Sequence, residues 1–398
     1  MTEYENREIP SIKRRAWAEI DLDNAIYNFR EVRKATKSKV CCVIKANAYG
    51  HGAVELAWLY QTLGADYLAV SNIEEALQLR QNSITLPILI LGYTSCDCAK
   101  ILADNDLIQS VFSYDYGMSL AQNAAEFGVT VKVHIKIDTG MGRIGFLFRD
   151  GSEVEIGQAV EVCKSESLDA EGVFMHFAVS DEGDNGDPYT REQFGYFMKA
   201  LEMFKAYGID FKIKHCANSA AIFDYPEFHL DMVRAGLVLY GLKPSVKVKN
   251  IGKLKPVMSL HSVVAQIKTV TAGQTVSYGR VFEADREIRV ATIPIGYADG
   301  FRRKNGQVGY FLSINGRPSG IIGRICMDQL MSDVSDIDCR VGDEVVVFGR
   351  EPATGVDEIA VSNGTVNYEI ICGVGERVPR AFVKDGRIVG WKDDILGE

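Results

Sequence analysis

The most chemically suggestive feature of this chain is a lysine at the end of an apolar run, followed by a glycine-containing turn. Lys45 follows the run Val40–Ile44, and Tyr49 lies in the turn after it. Burial at a strand end lowers the pKa of a lysine, so its neutral amine can condense with a carbonyl. The turn would offer backbone N–H groups and a phenol to a phosphate. These are the parts of a pyridoxal phosphate site, although a strand-end lysine pointing to solvent would show the same spacing.

Short apolar runs alternating with amphipathic stretches must position this lysine. The strand candidates are Val40–Ile44, Tyr67–Val70, Pro87–Leu91, Ile108–Phe112, Val131–Ile137, Ala170–Phe177, Phe211–His215 and Leu237–Tyr240. Helical patterns such as Met118–Phe127 and Arg191–Tyr207 lie between them. The alternation predicts an α/β fold, a parallel (β/α)8 barrel of the TIM type. A doubly wound open sheet is the rival, but no early dinucleotide-binding glycine turn supports it.

Polar residues follow several of these runs, at the end of the strands where a parallel barrel carries its chemistry. We expect them to converge with Lys45 on one mouth of the barrel. They are Lys136, Arg143, His176, Asn218 and Ser219.

The pattern changes near residue 246, where short alternating runs punctuated by Gly, Asp and Asn begin. This pattern predicts a barrel over residues 1–246 and a mostly β domain over residues 247–398. About the first 15 residues are candidates for packing on the β domain. Within that domain Thr275–Val281 reads as a strand, and Ser362–Cys372 is a candidate helix.

Composition narrows the class of protein. The 398 residues suit two domains, and the net charge of −9 has no block of like charge, which argues against nucleic acid or an anionic membrane as partner. The nine cysteines include several in apolar runs, and the first residues carry no apolar signal, so the cytoplasm is the expected compartment. Cys96 and Cys98 form a lone C-x-C pair without further ligands, and we expect no metal site.

A series of motifs resembles bacterial alanine racemases, in the order of that family and over nearly the whole chain. The motifs are Lys45-Ala-Asn-Ala-Tyr-Gly-His-Gly52, Lys136-Ile-Asp-Thr-Gly-Met-Gly-Arg143, His176-Phe-Ala, Cys216-Ala-Asn-Ser219, Met232-Val-Arg-Ala-Gly236, Val276-Ser-Tyr-Gly279, Ile293–Gly300, Arg324–Asp328 and Arg377-Val-Pro-Arg380. The resemblance implies a pyridoxal 5'-phosphate enzyme that racemises alanine, supplies D-alanine for peptidoglycan and works as a homodimer with shared active sites.

The resemblance also implies two proton-transfer bases. Lys45 would hold the cofactor as a Schiff base and then serve one face of the substrate, and Tyr278 from a second subunit would serve the other. Inversion needs both, because the proton leaves one face of Cα and arrives on the opposite one. Ordinary pKa values of about 10 for either group do not suit a base near neutrality, so burial and cationic neighbours must lower them.

Arg234 would hydrogen-bond the pyridine nitrogen of the cofactor. A permanently protonated guanidinium discourages protonation of that nitrogen and weakens the ring as an electron sink, which would suppress transamination. His176 would link Arg234 to Tyr278 and tune the phenol.

The remaining implied contacts divide between phosphate and substrate. The phosphate would lie on Tyr49, Asn218, Ser219 and the N–H groups of Gly236 and Leu237. Arg143 and the backbone N–H of Met327 would meet the substrate carboxylate, with Tyr297 and Asp328 at the entrance.

Lys136 resembles a family lysine that is often carbamylated, and as a carbamate it would hold Arg143 in place. A plain salt bridge between Lys136 and Asp138 is the alternative.

One residue departs from the family pattern. Glu376 stands where a tyrosine usually precedes Arg-Val-Pro-Arg, and an ionised glutamate would repel a phosphate. The family tyrosine also narrows the pocket around the substrate methyl, and a glutamate that turns outward or stays protonated would leave extra room or polarity there. We therefore hypothesise some tolerance for serine beside alanine, up to a serine or broad-specificity racemase. Two other classes stay open. A non-catalytic pyridoxal-phosphate-binding protein would lack the β domain. A decarboxylase would be expected to pair the ring nitrogen with a carboxylate rather than an arginine.

Overall fold

The computed structural model describes residues 14–149, 153–307 and 309–397. These residues form two compact units. The first unit contains Ile26–Ala48 and Ala53–Leu254, and the second contains the described residues up to Ala25, Tyr49–Gly52 and the residues from Lys255 onward. Residues 1–13, most of the segment expected to pack on the β domain, lie outside the described part of the chain.

The strands alternate with helices only in the first two-thirds of the chain. In chain order they are β1 Ala16–Asp21, β2 Lys39–Val43, β3 Tyr67–Val70, β4 Ile88–Ile90, β5 Leu107–Val111, β6 Val131–Asp138, β7 Phe146–Leu147, β8 Leu168–Phe174, β9 Ile213–His215, β10 Met232–Ala235, β11 Met258–Val263, β12 Gln266–Val270, β13 Thr275–Val276, β14 Phe282–Glu283, β15 Ile288–Ile293, β16 Phe311–Ile314, β17 Arg317–Ile322, β18 Leu330–Asp333, β19 Glu344–Phe348, β20 Arg380–Lys384 and β21 Arg387–Lys392.

The helices fall mainly between the parallel strands. They are α1 Leu22–Ala35, α2 Lys45–Gly50, α3 Ala53–Thr62, α4 Ile73–Gln81, α5 Ala99–Asp104, α6 Tyr114–Glu126, α7 Glu153–Cys163, α8 Asp187–Ala206, α9 Ala221–Asp224, α10 Val356–Asn363 and α11 Asn367–Cys372. None of the helices in the described ranges has the length and apolar character needed to cross a membrane.

The first unit is a nearly closed parallel barrel. Its strands follow the order β10, β2, β3, β4, β5, β6, β8 and β9. Backbone hydrogen bonds from Asp231 N to Lys214 O (3.0 Å) and from Arg234 N to Ala217 O (2.9 Å) link the first and last strands. Strands such as β3 and β5 are buried along their whole length, as expected where helices cover one face and the barrel core the other. The predicted (β/α)8 barrel is confirmed.

The last barrel strand differs from its prediction. The strand is β10, Met232–Ala235, and the run Leu237–Tyr240 forms a short 3-10 helix instead, so the strand predicted there is wrong. Gly236, with φ −116° and ψ −103°, turns the chain out of the strand. All four residues of the run are at most 1% exposed, and an apolar run buried on every side does not distinguish a strand from a helical turn.

The second unit is mostly β, as predicted. Its main sheet has ten strands in the order β12, β15, β18, β17, β16, β19, β11, β1, β20 and β21, in which only β1 and β20 pair in parallel. The predicted strand Thr275–Val281 ends at Val276, and Tyr278 lies in a 3-10 turn. The single candidate helix Ser362–Cys372 is two helices, α10 and α11, because Gly364 takes up φ 67° between them.

Candidate active site

Lys45 follows β2 at the carboxyl end of the barrel and opens a left-handed helical turn. The next four residues, Ala46 to Tyr49, have φ between 52° and 53°. Each non-glycine residue in this conformation costs roughly 1–2 kcal/mol, so a run of four needs support from its surroundings. The glycine-containing turn predicted from the sequence is therefore a strained element that sets the direction of the chain directly after the lysine.

Glu75, near the start of α4, supports the beginning of this turn. Its carboxylate accepts hydrogen bonds from Ala46 N at 2.6 Å and Ser71 N at 2.7 Å. Asn47, a residue type that tolerates positive φ, accepts from Ala53 N at 2.8 Å. Sequence reasoning missed Glu75, because a glutamate in the first turn of a helix reads as an ordinary surface residue.

Arg234 lies in β10, 4% exposed, with its guanidinium among polar groups of the barrel. Nη1 donates to Nδ1 of His215 at 2.8 Å, and Nη2 donates to Met175 O at 2.8 Å and Cys216 O at 3.0 Å. Nη2 also lies 3.2 Å from Nδ1 of His176. Arginine carries five N–H groups, so the Nε–H and one Nη1–H have no acceptor among the residues that the structure describes.

Arg234 stays cationic in this environment. Burial lowers its pKa to about 10, which still leaves the group protonated near neutrality. Its Cζ lies 5.4 Å from the centroid of the Phe174 ring, an arrangement that favours a cation. The same ring stacks on His215 with centroids 4.9 Å apart.

His176 is held neutral beside this cation. Burial, followed by the charges of Arg234, Arg143, Lys136 and Lys45, lowers the pKa of His176 well below its ordinary value. An arginine only donates, so Nδ1 of His176 must accept and the ring proton must sit on Nε2. His176 can therefore donate a hydrogen bond through Nε2.

Lys136 is 4% exposed at the end of β6. Burial and the charges of Arg143 and Arg234 lower its pKa to about 7. Asp138 accepts from Gly140 N at 2.8 Å and Gly142 N at 3.1 Å, and among the described residues no ion pair joins it to Lys136. The salt-bridge alternative is therefore wrong for this structure, and a neutral amine is accessible at Lys136 near pH 7.

Ser219 and Gly236, two of the residues predicted to hold a phosphate, meet between the loop after β9 and the end of β10. Ser219 Oγ accepts from Gly236 N at 3.0 Å. Asn218 Oδ1 accepts from Ser180 Oγ at 3.0 Å and from Ala221 N at 3.1 Å, which fixes the loop. Leu237 opens the 3-10 helix, where the first N–H groups have no acceptor within the helix.

These barrel residues fit pyridoxal phosphate. The ring nitrogen needs a hydrogen-bond donor, and the buried Arg234 has N–H groups for which the described residues provide no acceptor. The aldehyde needs an amine, and Lys45 carries one, half-buried after β2 and near enough to Lys136 and His176 for its charge to act on both.

Two of the predicted tyrosines, Tyr49 and Tyr278, lie in the second unit. Tyr49 is 7% exposed, its ring centroid lies 6.0 Å from that of Tyr368, and burial raises its pKa. Tyr278 is 67% exposed, between Ser277 at φ 71° and Gly279 at φ 74°. Ser277 Oγ donates to Arg324 O at 2.6 Å and anchors this turn.

The remaining substrate candidates also lie in the second unit, and their side chains are exposed. Met327 is 52% exposed and Tyr297 is 41% exposed. Asp328 pairs with Arg377 at 2.8 Å, and Glu376 is exposed.

Comparisons with known proteins agree over nearly the whole chain. The family model of the alanine racemase N-terminal domain matches residues 20–244, and that of the C-terminal domain matches residues 257–382. An alanine racemase of Desulfovibrio desulfuricans is 46% identical, covering 94% of this chain and 100% of the relative.

Solved structures show the same similarity. An alanine racemase of Clostridium difficile is 40% identical with a TM-score of 0.92, covering 96% of this chain and 99% of that chain. The alanine racemase of Bacillus anthracis with bound L-Ala-P is 34% identical with a TM-score of 0.90, covering 97% of this chain and 100% of that chain.

Proposed function

This chain belongs to the alanine racemase family, and we propose that it interconverts L- and D-alanine with pyridoxal 5'-phosphate as cofactor. The observation that carries the proposal is Arg234, a buried cation with N–H groups that lack an acceptor among the described residues. A donor that never gives up its proton suits an unprotonated ring nitrogen, whereas a decarboxylase would be expected to carry a carboxylate there.

Lys45 and the partner subunit's Tyr278 are the proposed bases. When bound, the cofactor supplies an aldehyde for the amine and a conjugated ring that takes up the electron pair left when Cα loses its proton. Lys45 Nζ removes or returns that proton on one face, and the Tyr278 phenol does so on the other. The neutral His176, protonated on Nε2, can donate to the phenolic oxygen and stabilise its anionic form.

Arg143 is proposed to hold the substrate carboxylate together with the backbone N–H of the partner subunit's Met327. The pKa of about 7 at Lys136 supports carbamylation, since a neutral amine adds to CO2 and releases one proton. The resulting carbamate would be an anion close to Arg143 and would restrain its guanidinium.

The phosphate is proposed to lie on Ser219 and the N–H groups of Gly236 and Leu237, with Tyr49 donating from its phenol. The hydrogen bond between Ser219 and Gly236 supports this grouping. Asn218 would act by fixing the loop that carries Ser219. Tyr297 and Asp328 are proposed to form the entrance on the partner subunit.

The working unit is proposed to be a homodimer, in which Tyr278 and Met327, both exposed in one chain, are accessible to a second copy. D-Alanine for peptidoglycan would be the product. All nine cysteines are free thiols, which supports the expected cytoplasmic location. The relatives compared are named for alanine, so serine is not proposed as the main substrate.

The test is a chiral assay with L-alanine and a panel of other L-amino acids, with and without added pyridoxal phosphate. Borohydride reduction followed by peptide mapping should attach the cofactor to Lys45, and Lys45→Ala should lose both the label and the activity. Lys132→Ala, a change in a cofactor-distant ion pair, is the matched control. A label on another lysine, or D-alanine formation that survives Lys45→Ala, would overturn the proposal.

A further inference from the structure

A buried row of side chains leads from Arg234 through two histidines to a carboxylate. His215 Nε2 lies 2.9 Å from His134 Nδ1, on the side of the His215 ring opposite Arg234. His134 Nε2 lies 3.6 Å from Oε1 of the Glu171 carboxylate, which is beyond hydrogen-bond distance, so the carboxylate acts on the buried ring through its charge. Both histidines are fully buried, so solvent does not compete for their ring nitrogens.

The row admits only one arrangement of protons. Arg234 can only donate, so Nδ1 of His215 accepts, and the His215 proton must sit on Nε2. That N–H donates to His134 Nδ1, which places the His134 proton on Nε2 next to Glu171. An imidazolium at either position would set two N–H groups against each other, and burial lowers the pKa of both rings.

The position of His134 is built into the barrel. His134 pairs with Gly172 where β6 and β8 change register. A Cβ at Gly172 would come within 2.4 Å of His134 Nε2, so glycine leaves the space that the imidazole needs. Glu171 is anionic at neutral pH, because His134 and then Lys132 and Lys212 lower its pKa.

We propose that His134 and Glu171 are positioning residues for Arg234. The charge of Glu171 favours the His134 proton on Nε2, so His134 Nδ1 accepts the hydrogen bond from His215 Nε2. The Nδ1 of His215 is therefore unprotonated, and it fixes the orientation of the guanidinium by accepting a hydrogen bond from it. This inference rests on the proposed function, since it assigns the row a role in presenting Arg234 to the cofactor ring.

The first test reads the ring protons directly. Long-range 1H–15N correlation spectra of the full chain labelled with 15N-histidine, recorded without cofactor, should show His134 and His215 as neutral rings protonated on Nε2. An Nδ1-protonated ring or an imidazolium at either position would overturn the proposal. The result does not depend on racemase activity, so it can fail or succeed separately from the proposed function.

The second test perturbs the far end of the row. Glu171→Leu removes the carboxylate, and Glu171→Gln keeps an acceptor. We expect Glu171→Leu to lower kcat about tenfold and to shift the pH titration of the bound cofactor's absorption band, with KM nearly unchanged. Glu171→Gln should recover only part of the loss, because the amide oxygen can face the Nε2–H of His134 but carries no negative charge.

Asp169→Asn, on strand β8 with Glu171, is the matched control for the Glu171 variants. His229→Gln is the control for changing a buried histidine that lies outside the row. Gly172→Ala is a second variant, which moves the His134 imidazole without deleting a polar group. A kcat and an absorption titration that stay at wild-type values in both Glu171→Leu and Gly172→Ala would overturn the positioning role.

Discussion

Nη2 of Arg234 lies 3.2 Å from Nδ1 of His176, and this contact makes His176 a hydrogen-bond acceptor at one nitrogen and a donor at the other. The same guanidinium binds His215 through Nη1. One cation thus sets the protonation of two histidines, and burial keeps both rings neutral. The tautomers of His176 and His215 therefore follow from their contacts with Arg234.

Arg234→Glu should lower racemase kcat by on the order of 100-fold and raise the fraction of turnovers that end in pyruvate. The carboxylate would favour a protonated ring nitrogen, and the ring would become a stronger electron sink. Chiral chromatography and a coupled pyruvate assay measure the two products. Arg191→Glu, in an exposed ion pair, is the control, and an unchanged partition ratio in Arg234→Glu would contradict the argument.

Lys136→Met should make the cofactor-free protein more stable at low pH. The folded pKa of about 7 lies below the ordinary value, so the folded chain binds fewer protons than the unfolded chain between these values. Wild-type stability should therefore rise from about pH 7 toward about pH 10, with the full penalty present below that window. Urea denaturation in CO2-depleted buffer measures the difference.

Lys132→Met is the control on the same strand, because a hydrogen bond to Asp106 raises the pKa of Lys132. Its stability difference from wild type should not follow the same pH dependence. A Lys136→Met advantage that grows with pH would show that the sign is wrong.

Glu75→Ala should destabilise the cofactor-free protein by about 1–3 kcal/mol and weaken cofactor binding. The change leaves two backbone N–H groups without their charged acceptor and releases the left-handed turn after Lys45. Denaturant titration and fluorescence titration with pyridoxal phosphate measure the two effects. Glu74→Ala, the exposed neighbour on the same helix, should match wild type, and equal losses in both variants would rule out the specific role of Glu75.

Mixing inactive Lys45→Ala and Tyr278→Phe proteins should restore activity. With free subunit exchange half of the dimers are mixed and each rebuilds one of its two sites, so about a quarter of wild-type activity is expected. Exchange is verified with subunits carrying different mass labels. Mixtures that exchange and stay inactive would exclude shared sites.

Glu376→Tyr should lower the serine-to-alanine ratio of kcat/KM, because tyrosine narrows the space that we assign to the substrate side chain. Glu376 is exposed in the chain, so the substitution should leave stability within about 0.5 kcal/mol of wild type. Initial rates with both amino acids give the ratio. Glu358→Tyr, at an exposed glutamate in α10, is the control, and a ratio that does not move in Glu376→Tyr would refute the pocket argument.

Most of the barrel could be predicted from periodicity, because apolar runs spaced by amphipathic helices leave few alternatives. The last strand could not, since Leu237–Tyr240 and Met232–Ala235 are both buried and apolar enough to form it. Gly236 decides between them by turning the chain, a choice that depends on backbone angles rather than residue type. In the second unit, positive φ angles likewise end β13 after Val276, at Ser277, and separate α10 from α11 at Gly364.

The sequence by itself determined the class of chemistry, because lysine, arginine and tyrosine in ordered motifs carry that information in their side chains. Only the tertiary structure decided how these groups are held, through the left-handed turn at Ala46–Tyr49, the Glu75 carboxylate and the row from Arg234 to Glu171. The physical reason is that backbone strain and ring protons depend on which hydrogen-bond partners the fold brings within about 3 Å, and those partners are far apart along the chain.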